Sequence, residues 1–460
     1  MKLRVSKTII FSVVAFLCIL IGIPLAWIGY QAHRTERSFG EYLERTLSRI
    51  AKKNQDSPLA SPNLRWGPQI DFLEKIPIGD PVGATKPWIS HLAIVDLDQD
   101  GLKDVVVCDA KLNQIRWIRQ YPKGTYTETQ IGSTVRAPAH VTPCDINGDG
   151  KIDFLVASMG MIFPNNDKIG SVVVLENLGG GKFRNRVLAE NIARVTDVEP
   201  ADFNGDGLID LAVGQFGYDD GEIRWLENKG NWKFEGHILK KISGTIHTLV
   251  GGMTGDGNKD IVALVSQEWE EIYIFKGDGR GHFKEHKIWG STNEDFGSSG
   301  ISLVDLNGDG RLDILFTNGD AFDYIPPGPR PWHGLQWLEN KGNLKFEYHR
   351  IADFPGAFSG RAVDVNNDGY LDIVVVSTFN NWKDPKAPSM IWFENDHHGN
   401  FIRHDITSNP THLLILESAD MDGDGWADFV TGGFYAYPPF DRMNRVLLWK
   451  NIWPNRKIAN

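Results

Sequence analysis

Aspartates at a fixed spacing are the residues of this chain best placed to do chemistry. DLDQDGLKD begins at Asp96, DINGDGKID at Asp145, DFNGDGLID at Asp202, DLNGDGRLD at Asp305, DVNNDGYLD at Asp364 and DMDGDGWAD at Asp420. The shared pattern, D-x-[DN]-x-D-G-x-x-D, is that of a hard-cation site. Positions 1, 3 and 5 aim side-chain oxygens inward, glycine at 6 permits a sharp turn, and the carbonyl at 7 and carboxylate at 9 close the shell. Ca²⁺ accepts about 6–8 oxygens at roughly 2.3–2.6 Å from a flexible cage, whereas Mg²⁺ holds on to its water, so calcium is the expected cofactor. The expected ligands are Asp96, Asp98, Asp100 and Asp104; Asp145, Asn147, Asp149 and Asp153; and Asp202, Asn204, Asp206 and Asp210. The same positions give Asp305, Asn307, Asp309 and Asp313; Asp364, Asn366, Asp368 and Asp372; and Asp420, Asp422, Asp424 and Asp428. A seventh copy, GMTGDGNKD from Gly252, keeps Asp256, Gly257 and Asp260 but has lost its first two acids, so it should bind weakly or not at all. The alternative is an array of Asx-turns in which Asp and Asn only bond the backbone. Three or four carboxylates within nine residues repel one another without a cation, which favours the metal.

The copies start 49–59 residues apart, a period that signals a propeller or solenoid. Apolar runs precede each loop (LAIVD, HVTPCD, ISLVD, LLILESAD) and follow it (DVVVC, DFLVAS, DLAVG, DILFT, DIVVVS), as strands do. A third strand ends in a turn at residues 223–234 (IRWLENKGNWKF), 335–346 (LQWLENKGNLKF) and 391–401 (IWFENDHHGNF), and a fourth follows it. Four antiparallel strands in each of seven units give an all-β, seven-bladed β-propeller over residues 64–460, whose closure removes exposed sheet edges. The last unit stops after VLLW (446–449) with little chain left, so residues 68–79 (PQIDFLEKIPIG) are expected to supply its outer strand.

The chain has 460 residues, 41% hydrophobic and 23% charged, a composition that excludes wholesale disorder. Its net charge of −11 argues against nucleic acid as a partner and suits a protein loaded with cations. Three cysteines are too few for a disulfide scaffold; Cys108 and Cys144 could form one pair at most and read as small buried residues. No charged side chain occurs from Thr8 to Gln31, a stretch long enough to cross a bilayer core of about 30 Å. Residues 1–32 therefore read as a cytoplasmic tip and a single-pass signal anchor, and residues 33–63 as an amphipathic stalk and linker. Loops without a bidentate glutamate need plentiful calcium, which places the propeller in the periplasm or outside the cell.

Five residues before the acidic loops stand His91, His140, Asp197, His247, Gly300, Ser359 and Ile415. They should begin the innermost strands and ring the channel mouth on the face away from the acidic loops. His91, His140, His247 and Asp197 are thus weak catalytic candidates, able to hold a transition metal or supply an acid/base pair. The plainer alternative is that the histidines fill a polar channel and bond nearby carbonyls. On the same face, long connections rich in proline and aromatics (residues 159–170, 318–334, 378–389 and 432–444) offer Tyr324, Trp332, Trp382, Tyr435 and Tyr437 to a protein partner. No nucleophile elbow, P-loop or HExxH motif occurs.

The acidic loops, together with the W-L-E-N-x-G turn, resemble FG-GAP/VCBS-type repeats, the family that includes the integrin α-chain propeller head. The resemblance runs from about residue 65 to 455. It implies that positions 1, 3, 5 and 9 of each intact loop are calcium ligands, that the loops join the two inner strands of a blade, and that ligands engage the opposite face. Propellers host many functions, so activity does not follow from the fold. The reading favoured is a non-enzymatic, membrane-anchored scaffold that binds another membrane or extracytoplasmic protein. The alternatives are a sugar or polysaccharide lyase or dehydratase using the channel histidines, and a carbohydrate or cell-surface adhesion module presenting Trp332, Trp382 and Tyr437.

Overall fold

The apolar runs on either side of each acidic motif form the two inner strands of a blade. In the computed structural model, residues 24–33, 38–52, 64–267, 269–453 and 457–458 are described. They fall into two units, Met1–Asp56 and Ser57–Asn460. In the second unit, blade 1 consists of Ile89–Val95, Asp104–Asp109, Gln114–Gln120 and Tyr126–Ile131, hydrogen-bonded in that order and all antiparallel. Blades 2–7 repeat this order from innermost strands Pro138–Cys144, Val195–Ala201, Thr245–Gly251, Ser298–Val304, Ala357–Val363 and Leu413–Ala419. The fold is an all-β, seven-bladed propeller of four-stranded blades.

Every second strand, from Asp104–Asp109 to Asp428–Gly433, is buried along its whole length. Each lies inside a sheet covered on both faces by neighbouring blades, which is why these strands read as unbroken apolar runs rather than alternating ones. The core sits between blades. Val106, Cys108 and Ile115 of blade 1 pack with Val141, Phe154 and Val156 of blade 2, for example. Cys108 and Cys144 are both free thiols, the first buried and the second partly so.

The outer strand of blade 7 comes from the start of the propeller. Leu73–Pro77 pairs antiparallel with Val446–Asn451, from Leu73 opposite Asn451 to Pro77 opposite Leu447. Charge reinforces this seam. Arg445, nearly buried, reaches blade 1 to bond Glu128 Oε2 (2.6 Å) and Asp109 Oδ2 (3.3 Å), while Arg116 Nε holds Glu128 Oε1 (2.5 Å). Two short additions flank the closure. Arg65–Trp66 runs parallel to the outer strand of blade 6, and Ile70–Asp71 pairs with Lys457–Ile458.

In the first unit, residues 24–33 and Phe39–Lys52 are helical. Tyr42 of the second helix is buried and meets Trp27 edge-on at 6.1 Å, whereas Phe39 and Leu47 of the same helix are exposed. Most of the span expected over residues 8–31 lies outside the described residues, and no described helix is long and apolar enough to cross a membrane.

Candidate functional site: acidic loops and central channel

In all six intact loops the sixth-position glycine is left-handed: Gly101, Gly150, Gly207, Gly310, Gly369 and Gly425 have φ of 83–90°. A side chain there would be strained, which explains the residue type. The first aspartate receives the turn. Asp96 Oδ1 accepts the Asp100 amide (3.1 Å) and Oδ2 the Gly101 amide (3.0 Å), an arrangement repeated at Asp145, Asp305, Asp364 and Asp420. Carboxylate oxygens of Asp96, Asp98 and Asp100 lie within 4.8 Å of one another, as do those of Asp420, Asp422 and Asp428. This donor set is all oxygen and suits calcium. Basic side chains approach several loops: Arg119 bonds Asp98 and Asp100, Lys151 bonds Asp149, Arg311 bonds Asp309, His397 bonds Asp368, and Lys450 bonds Asp422.

The ninth position has a role that the motif did not announce. Asp104 is fully buried and accepts the Leu97 and Gln120 amides; Asp210, Asp313, Asp372 and Asp428 accept the equivalent pairs. Each therefore ties its loop to the end of the third strand. Asp153 does so with one oxygen only and leaves Oδ2 without a hydrogen bond, as does Asp260 of the degenerate loop. Burial pushes Asp104, Asp153, Asp210 and Asp428 up to about 6 and Asp372 to about 7. Asn of the E-N-x-G turn completes the tie. Asn340 Nδ2 donates to Leu312 O in its own blade and to Met253 O in blade 4; Asn451, at the equivalent position of blade 7 where the sequence reads K-N-I-W, donates likewise to Ala427 O and, in blade 6, Val365 O.

In the channel, a β-bulge aims the ring residues. Every innermost strand shifts register near its start, between Ile89 and His91, Pro138 and His140, Val195 and Asp197, Thr245 and His247, Ser298 and Ile301, Ala357 and Ser359, and Leu413 and Ile415. Such a shift redirects a side chain that regular pleating would place elsewhere. The structure brings the four polar candidates together. Ring centroids of His91 and His140 are 3.6 Å apart and those of His140 and His247 are 6.3 Å apart. Asp197 lies between the last two: His140 Nδ1 is 3.2 Å from its Oδ1 and His247 Nδ1 3.1 Å from its Oδ2. At Gly300 the neighbouring backbone takes the space, since a Cβ there would sit 2.3 Å from Phe358 O.

Burial holds His91 well below the usual imidazole range, and Arg361 and His247 add to that effect; burial also holds His140 low, against the pull of Asp197. For Asp197 burial alone would raise the carboxyl, but His140, His247 and the Thr248 amide hold it below its usual value. A second tier lies two residues further along the same strands: Thr142, Glu199, Arg361 and Glu417. Residues i and i+2 of a strand share a face, so stepping two positions on from the ring would have found them. Arg361 holds Glu417 through two nitrogens. Burial and the charge of Asp197 push Glu199 well above its usual range. The histidine layer divides the channel into a cavity of about 210 Å³ toward the long connections and one of about 450 Å³ toward the acidic loops.

Of the aromatic residues expected on the long connections, Tyr435 is a correction. It is buried, and its hydroxyl is fixed between Arg442 O and the Asn444 amide, so it contributes packing rather than contact surface. Tyr324, Trp332, Trp382 and Tyr437 are partly covered. Trp332 Nε1 donates to Asp295 O, Trp382 Nε1 to Thr378 O and Tyr437 Oη to Phe322 O.

A model of the FG-GAP-like repeat matches residues 96–156, 202–263, 252–316 and 364–431, just over half of the chain. No curated protein matches the sequence. Among solved structures, the crystal structure of BBS1N in complex with ARL6DN, soaked with lead, is 12% identical and superposes with a TM-score of 0.50, covering 86% of this chain and 100% of that one. The mercury-soaked crystal of the same complex gives 12%, 0.51, 84% and 98%. At that identity the likeness concerns the fold. With the repeat model spread over more than half its length and a glycine-turned acidic loop between the inner strands of its blades, the chain belongs to the FG-GAP-like repeat family.

Proposed function

We propose that this chain is a calcium-stabilised propeller that serves as a protein-binding scaffold, anchored by its N-terminal segment with the propeller outside the cytosol. Asp96, Asp98 and Asp100, and their counterparts in the other intact loops, would hold the ions, which would neutralise the clustered carboxylates and stiffen the turns. The observation that carries the scaffold reading is the face built from connections between second and third strands. Ile325 is 98% exposed in the blade 5 connection, and Leu112, Met161 and Tyr218 are exposed in those of blades 1, 2 and 3. In the connections of blades 2 and 5, which carry proline, such side chains are held out at little entropic cost. BBS1N, alike in fold, crystallises with another protein, ARL6DN, which supports the reading by analogy only.

Pull-down with the detergent-solubilised full chain, followed by mass spectrometry, tests it. The wild type is expected to recover a protein that an Ile325→Asp, Met161→Asp double variant recovers at least about tenfold less, at unchanged melting temperature. Equal recovery by both, or a strictly monomeric wild type without companions, would contradict the reading.

A second reading, a lyase or dehydratase acting on sugars or polysaccharide, draws support from the convergence of His91, His140 and His247, which lie well inside the distance an acid/base pair requires. Turnover of an acidic polysaccharide that disappears in His140→Ala would favour it over the scaffold. The adhesion reading gains nothing comparable, because Trp332, Trp382 and Tyr437 turn their polar groups inward and are none of them fully exposed.

A further inference from the structure

At the waist of the channel, two carboxylates and an imidazole converge. Ligand atoms of His140, Asp197 and Glu199 lie within 4.8 Å of one another. Asp197 is fully buried, and its two oxygens are treated differently. Oδ2 faces His247 Nδ1 (3.1 Å) and accepts the Thr248 amide (3.1 Å), whereas Oδ1 accepts no hydrogen bond; His140 Nδ1, 3.2 Å away, is not aligned for one. A buried carboxylate oxygen without a partner is costly, and its cost is relieved by a cation. The basic side chains lining the same cavity do not meet this need: Arg361 is bonded to Glu417, and Lys103 forms no ion pair with either carboxylate.

We propose that His140, Asp197 and Glu199 form a binding site for a first-row divalent cation of the Zn²⁺ class, distinct from the calcium loops. Two carboxylates and one imidazole make a mixed oxygen and nitrogen donor set that such an ion accepts. A nitrogen among the donors selects against Ca²⁺, which takes oxygen. His247 acts as a positioning residue. Its Nδ1 holds Asp197 Oδ2 while its Nε2 faces Ser299 O (3.1 Å), so Oδ1 is left turned toward His140. The ion would enter through the cavity of about 450 Å³ that His140 and Glu199 line. The inference does not depend on the scaffold reading or on the occupancy of the acidic loops.

The test uses the full chain, stripped of metal, returned to excess calcium and titrated with Zn²⁺ alone in a calorimeter. Uptake of a single Zn²⁺ is expected, with a rise in melting temperature. Asp441→Asn, at an exposed carboxylate outside both the acidic loops and the channel, should leave that uptake unchanged. His140→Ala and Glu199→Gln should abolish it, and His247→Ala should weaken it about 10–100-fold. Glu199 is only half-buried, so Glu199→Gln reports even if the histidine variants fold poorly. No uptake in excess calcium, or uptake that Glu199→Gln leaves intact in a protein of unchanged melting temperature, would overturn the proposal.

Discussion

Glu270 shows how one enclosed acid can set a pH dependence. It sits between blades 4 and 5, and its oxygens accept the Gly297 and Ser298 amides at 3.0 Å each. Burial nonetheless pushes its carboxyl from 4.5 up to about 8. The folded chain therefore keeps a proton that the unfolded chain releases, and the contribution of this group is complete below the unfolded value and lost as pH rises through about 8. The span corresponds to at most about 5 kcal/mol. Glu270→Gln has no charge to desolvate, so its melting temperature relative to wild type should climb between pH 5 and pH 9, measured by calorimetry in constant excess calcium. A difference that stays flat across this range would contradict the assignment. Residues of the ninth loop position teach a related lesson. Asp313 is legible in the sequence as a candidate cation ligand, but its bonds to the Leu306 and Asn340 amides are not, because they join backbone segments 7 and 27 residues away that only the folded blade brings near.

Among the elements, the seam between blades 7 and 1 bears the consequence of closing a ring with strands from both ends of the propeller. Leu73–Pro77 supplies the backbone pairing, and Arg445 with Glu128, Asp109 and Arg116 supplies a buried polar junction. Removing one partner of such a junction strands the others, so Arg445→Ala should cost about 3–5 kcal/mol in urea unfolding at fixed calcium. Loss of the exposed Lys168–Asp220 pair in Lys168→Ala should cost less than about 1 kcal/mol. Equal effects would mean that the junction adds nothing to closure. The blades themselves were legible because acidic turns, apolar runs and a missing last strand all point to one architecture. The channel was legible only in its first tier: His91, His140, Asp197 and His247 align by their distance from the loops. Glu199, Arg361 and Glu417 lie two residues further along the same strand faces and were reachable by the period of two, whereas the bulges that aim the ring have no sequence mark. Tyr435 went the other way, since an aromatic residue in a long connection looks available until packing covers it.

For the molecule as a whole, charge and closure are one problem. A chain of net charge −11 places its acidic turns between the first and second strands of the propeller blades, all on one side of the ring, where like charges repel and bound cations would relieve the repulsion. Ions that bind only the folded state stabilise it by mass action, about 2.7 kcal/mol for each site at a hundredfold excess over Kd. The most direct measurement is a calorimetric melt of the full chain against free calcium, with bound calcium counted by equilibrium dialysis. The melting temperature is expected to rise steadily with calcium as about six ions bind, and to fall sharply in excess chelator. A melt that chelator leaves unchanged, with no calcium retained, would contradict it.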